Sequence, residues 1–152
     1  MKRKLIIIVA TVSILLGSVL ILYMIPSELL VSKHLGTIEH AGNSTNLMLR
    51  KYELTGYPFE IRRWLTGKHD GAIGQQIAYI FLPWGVRHPY GFAYIIEGIE
   101  PENRPRFVSW LGSMVGEAMI EREFLEVFDW YETPVITDLK LEVEKQKKWQ
   151  QH

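Results

Sequence analysis

Residues 5–25, LIIIVATVSILLGSVLILYMI, run for 21 positions without a charged side chain, directly behind Lys2, Arg3 and Lys4. At about 1.5 Å of rise per helical residue, such a run matches the roughly 30 Å hydrocarbon core of a bilayer. The sequence therefore reads as a cytosolic basic segment at 1–4 and an uncleaved transmembrane signal-anchor helix at 5–25. Everything beyond Pro26 is then expected outside, because flanking cations favour the cytosolic side. A cleavable signal peptide would carry an apolar core of about 7 to 15 residues ending in a small-x-small site, and Tyr23-Met24-Ile25-Pro26-Ser27-Glu28 has no such site. The expected location is the inner (plasma) membrane, single-pass, with a periplasmic or extracellular C-terminal domain.

The chain has no cysteine. That removes disulfides, thiol nucleophiles, Cys-ligated zinc and a lipid-modified cysteine, so a domain in an oxidising compartment must hold itself together by packing alone. A bacterial envelope fits this better than a secretory lumen, although Asn43-Ser44-Thr45 is a glycosylation-type triplet. Net charge is zero but unevenly spread. Residues 33–87 carry seven cations against four anions, and 88–152 seven against twelve. A nucleic-acid binder needs a strongly basic balance clustered on one surface, and this chain lacks it.

The remaining length suits one domain. A juxtamembrane linker is expected at 26–46, with turn residues Ala41-Gly42-Asn43-Ser44-Thr45-Asn46 behind a short strand at 36–40. The domain at 47–144 is expected to be α+β, an antiparallel sheet of five or six strands packed on one main helix, followed by a polar tail at 145–152. Strands are predicted at 47–54 and 59–65 around a Thr55-Gly56-Tyr57-Pro58 hairpin connection, with Phe59, Ile61 and Leu65 alternating with polar neighbours. The segments 76–82 and 92–96, apolar on both faces, read as central strands. Pro105 suits a first helical turn, and Phe107, Trp110, Leu111, Met114, Val115 and Ala118 recur at helical spacing behind it. A second hairpin is predicted from 124–130 and 135–143 around Glu132-Thr133-Pro134, with helix as the alternative for 124–130.

Two features stand out as candidate functional sites. The segment Phe81 to Gly91 reads as a loop in which Trp84 and Tyr90 offer flat surfaces and Arg87 and His88 supply donors, a mixture suited to peptides, glycans or lipid headgroups. Against this stands the common structural use of Pro, Gly and Trp in turns between buried strands. In the helix, Ser109, Gly112, Ser113 and Gly116 share the side away from the large apolar residues. Two glycines weaken a helix by roughly 1 kcal/mol each, so this stripe predicts close approach of another backbone, from the same domain or a partner.

Signals for chemistry are weak. The segment 66–74 has glycines and Lys68 but neither phosphate-loop spacing, and His69, Asp70 and His88 are suitable zinc ligands without a ligand-type motif. The acidic residues Glu117, Glu121, Glu123, Glu126, Asp129 and Glu132 interleave with apolar ones as a solvated face does. No nucleophile elbow or zinc-helix motif is present. The sequence resembles no family strongly enough to name one. These readings predict a membrane-anchored, extracytoplasmic binding or assembly module of the cell envelope, without catalysis, metal or cofactor. The alternatives are a tethered lipid or hydrophobic-ligand binding domain and an envelope hydrolase. The expected partners are a lipid bilayer through Leu5 to Ile25 and a protein or second copy, with no nucleic acid.

Overall fold

Short apolar runs can be satisfied by a buried strand or a buried helix, and here the helix wins throughout. The computed structural model describes residues 2–30, 37–69, 71–118 and 120–150, with side-chain surroundings for all of these except 2–6, 19, 22, 23, 28, 149 and 150. Among the described residues there are nine helices and no strand. They are α1 (Lys2–Met24), α2 (Ser27–Leu30), α3 (Thr37–Thr55), α4 (Phe59–Leu65), α5 (Gly71–Arg87), α6 (Pro89–Glu97), α7 (Arg104–Glu117), α8 (Glu121–Phe128) and α9 (Pro134–Gln150). The expected α+β sheet is thus corrected to an all-helical fold.

Each misread segment shows why. The supposed turn cluster at 41–46 lies inside α3, where Ala41, Gly42, Ser44 and Thr45 are buried. These residues are small because α5 crosses them: a Cβ on Gly42 would sit 2.9 Å from Gln76 Nε2 and 3.2 Å from Ile80 Cδ1. In α4 the buried residues are Ile61 and Leu65, four apart, while Phe59 is exposed. The four-residue spacing overrides the apparent alternation. The last "strand" buries Val135, Ile136, Leu139 and Val143 and exposes Leu141, which is helical phasing behind Pro134 at a helix start. The supposed 55–58 hairpin is a corner between helices, with Gly56 at φ +69° and its N–H donating to Tyr52 O at 2.7 Å. That is a left-handed helix stop. Of the strand expected at 36–40, residue 36 lies outside the described residues and the rest opens α3. The polar tail continues α9 to Gln150, and residues 151 and 152 lie outside the described residues.

The core sits between α5, α6, α8 and α9. Phe81, Phe92, Phe124 and Phe128 are fully buried, and their rings form a ladder: Phe81–Phe92 at 4.9 Å, Phe92–Phe128 at 5.0 Å and Phe124–Phe128 at 4.7 Å between centroids. A methyl group at Gly85 would overlap the Phe92 ring, so α5 and α6 meet there at backbone distance. Beside this core, α7 and α9 pack along their lengths. Several cations are spent inside the fold. Arg62 donates to Ile95 O and Tyr94 O, Arg104 to Ile99 O and Glu97 O, and Lys140 to the carbonyls of Phe128, Asp129 and Tyr131. All three satisfy orphan carbonyls at helix ends.

The membrane placement also needs correction. Among the described residues no helix is long and apolar enough to cross a membrane. This finding overturns the expected transmembrane signal-anchor and, with it, the single-pass inner-membrane location and the periplasmic or extracellular placement of the domain. What α1 does show is a helix apolar on all sides and, among the described residues, packed along none of the other helices, with Ile7, Ile14, Leu16, Leu20 and Ile21 each about 60% exposed or more.

Candidate functional site

Residues 81–91, expected to be a loop, are the end of α5 and the start of α6, hinged at His88 between Arg87 and Pro89. Trp84 and His88 are four apart on α5 and its cap, so their rings stack on one face, 5.1 Å apart and 23° from parallel. Trp84 itself is buried. Its indole N–H donates to Glu53 Oε1 at 2.6 Å, and the same oxygen lies 3.7 Å from His88 Nε2. One carboxylate thus holds the Trp84 indole by a hydrogen bond and lies beside the His88 ring across the α3–α5 crossing.

The crossing forms an open groove of about 500 Å³. From α3 it takes Asn46, Arg50 and Glu53, and from α5 Tyr79, Pro83, Trp84 and Arg87, with His88 at the end. The spacings are three to four residues on both helices, which brings one stripe of each into the same trough. Arg87 Nε donates back to Pro83 O at 3.1 Å. Neither Arg50 nor Arg87 meets a carboxylate among the described residues, unlike the cations that cap helix ends. The trough is therefore rich in donors, with Glu53 already engaged by Trp84. No serine, threonine or cysteine lines it.

Sequence reasoning singled out Trp84, Arg87, His88 and Tyr90, and the fold brings the first three together. Tyr90 points elsewhere. It is 72% exposed and meets Trp130 and Tyr131 edge-on at 5.7 and 5.9 Å, outside the groove lining. Burial, and then the neighbouring Tyr90, push the Tyr131 phenol above its ordinary pKa. Arg50, Glu53 and Tyr79 went unnoticed. A helical reading of 46–53 would have aligned Asn46, Arg50 and Glu53, but the strand reading placed neighbours on opposite faces.

The small-residue stripe divides. Gly112 is buried against α9, where a Cβ would lie 2.7 Å from Glu142 Cγ and 3.0 Å from its Cβ. Ser113, half-buried, turns its hydroxyl back to Trp110 O at 2.7 Å. Gly116 is half-buried and Ser109 exposed. Glu142 is held below the ordinary carboxylate range by hydrogen bonding from Gln146, with Lys145 adding to this against the opposing effect of burial.

His69 places Nε2 2.6 Å from Trp64 O and meets that indole at a 59° tilt, whereas His88 faces Trp84 and Glu53. Asp70 lies outside the described residues. Among the described residues, no three His, Asp or Glu side chains gather as a metal cage would require. No protein-family model matches the chain, and no characterised protein or solved structure matches it.

Proposed function

We propose that this chain is a non-catalytic binding or assembly module whose α3–α5 groove receives an acidic, extended polypeptide segment. The observation that carries the reading is the pair Arg50 and Arg87, which meet no carboxylate among the described residues and stand on either side of a trough already lined by Trp84, His88 and Tyr79. Arginine forks recognise carboxylates in two-point geometry, and the flat rings between them offer contact area at low entropic cost. From Asn46 to Glu53 the trough runs about 10 Å, room for roughly three residues of extended chain.

The apolar α1 supplies attachment. A helix apolar on all sides is stable when covered, and among the described residues no other helix packs along it. The partners expected from the sequence, a bilayer meeting Leu5 to Ile25 and a second protein or second copy, are both surfaces of that kind. Vesicle co-flotation and sedimentation velocity separate them.

The decisive experiment is in-cell crosslinking with mass spectrometry on wild type and on the double variant Arg50→Ala/Arg87→Ala. The variant should keep its unfolding midpoint and lose its crosslinked partner, whose crosslinked peptide should be acidic. Retention of the same crosslinks by the folded variant would overturn the groove reading.

A further inference from the structure

A second cavity lies where α1 ends and the chain turns into the helical body. Its volume is about 350 Å³, at the small end of ligand sites. Its apolar and hydroxyl lining comes from Met24, Ile25 and Pro26 at the end of α1, Met48 and Thr55 of α3, Tyr57 of the connecting corner and Phe59 of α4. The walls are chiefly apolar, and Met24 and Phe59 remain 74% and 59% exposed at the mouth.

Three charged side chains line it, and they are not equivalent. Lys51 Nζ lies 3.1 Å from Glu60 Oε2 and also donates to Ile25 O. The other Glu60 oxygen accepts the Ser27 backbone N–H. Lys51 and Glu60 thus neutralise each other and are occupied in fastening the end of α1 to α3 and α4. Arg63, exposed at the rim, meets no carboxylate among the described residues. The cavity therefore carries one uncommitted positive charge beside an apolar trough whose other polar groups are satisfied.

We propose that this cleft binds a free single-chain amphiphile with a monoanionic head, a long-chain carboxylate, with its head on Arg63 and its tail along Met24, Met48 and Phe59. The chemistry matches part by part. A guanidinium pairs with a carboxylate through two parallel hydrogen bonds, and flexible thioethers conform to an alkyl chain. A dianionic or bulky head has no second cation to meet, and a peptide would leave its backbone groups unpaired against the apolar walls. The site is separate from the α3–α5 groove and does not depend on its role.

Dodecanoate tests this by isothermal titration of the full chain below the critical micelle concentration of the dodecanoate itself. One molecule should bind saturably. Arg63→Gln, at an exposed position, should weaken binding by about tenfold or more, the loss expected for one charge-assisted contact, while uncharged dodecanol binds both proteins alike. Phe59→Ser should weaken both ligands. Circular dichroism and the melting midpoint establish that each variant is folded. Absence of saturable binding, or equal dodecanoate affinity in wild type and Arg63→Gln, would overturn the proposal. So would binding seen only with anionic phospholipid vesicles, because the charge would then be reading a lipid surface and not a ligand held in the cleft.

Discussion

α1 and α5 are the two long helices richest in aliphatic residues, and they have opposite fates. On α5, Ile77, Ala78, Phe81 and Leu82 are fully buried, while on α1 Ile7, Leu15, Leu16 and Leu20 stand exposed. The difference lies in what interrupts the apolar residues. α5 carries Gly74 and Gly85 where other elements approach closely, Trp110 at one and Phe92 at the other, and ends with Pro83, Trp84 and Arg87 lining the α3–α5 groove. α1 has Gly17 with open space around it. Apolarity creates the demand for burial, but complementary neighbours decide whether this chain meets it.

That contrast can be broken most forcefully at Phe92, the ring shared by α5, α6 and α8. Phe92→Ala should lower unfolding free energy by about 3–5 kcal/mol, whereas Leu15→Ala on α1 should stay within about 0.5 kcal/mol. Denaturant melts followed by tryptophan fluorescence measure both. Comparable losses at the two sites would mean that α1 is part of the packed body.

Gly85→Ala asks whether the approach of α5 to α6 is as tight as it looks. Added propensity should favour alanine in a helix, yet the new methyl meets the Phe92 ring, and a net loss of about 1–3 kcal/mol is expected. Gly17→Ala is the matched change on α1, and there the body's melting midpoint should not fall. A stabilised Gly85→Ala would show that the ring yields freely.

Gly112→Leu extends the comparison to the second seam. The side chain would run into Glu142 and the α9 backbone, where the Glu142 carbonyl carbon is 3.6 Å from the added Cβ. A loss at the lower end of about 1–3 kcal/mol is expected, since part of the obstruction is a side chain able to move. Wild-type stability with changed self-association by analytical ultracentrifugation would instead make the stripe a partner surface.

The smallest effect is electrostatic and belongs to the same seam. Glu142 has its folded pKa lowered, chiefly by Gln146, so its contribution is present above the unfolded value of about 4.3 and is lost as pH falls through the folded value. Gln146→Ala should therefore melt slightly below wild type where Glu142 is ionised, and the gap should close as pH falls through the range in which this carboxylate takes up its proton. A gap that is constant with pH would mean that the hydrogen bond to the Glu142 carboxylate does not carry it, and alanine's higher helix propensity would act in the opposite direction.

Much of the misreading came from short segments. Gln76 to Leu82 and Phe92 to Ile96 are apolar on every side, a pattern equally suited to a central strand and to a helix wrapped by others. Small residues such as Gly42 and Ser44 were legible as special but not as interior, because a turn and a close helix crossing call for the same side chains. The groove was half legible: Trp84, Arg87 and His88 stood out by chemistry, while Arg50 and Glu53 are ordinary charges until α3 lies beside α5.

The sequence by itself determined the helix at Arg104–Glu117, through Pro105 and a long three-and-four spacing, and the apolar helix at the amino terminus. It also determined the absence of thiol chemistry, since composition needs no folding. Only the tertiary structure decided that the remaining elements are helices, which glycines are contacts, and which cations cap helix ends and which remain available. Periodicity over five to nine residues leaves helix and strand nearly equal in burial, and the long-range packing of Phe81, Phe92, Phe124 and Phe128 tips the balance.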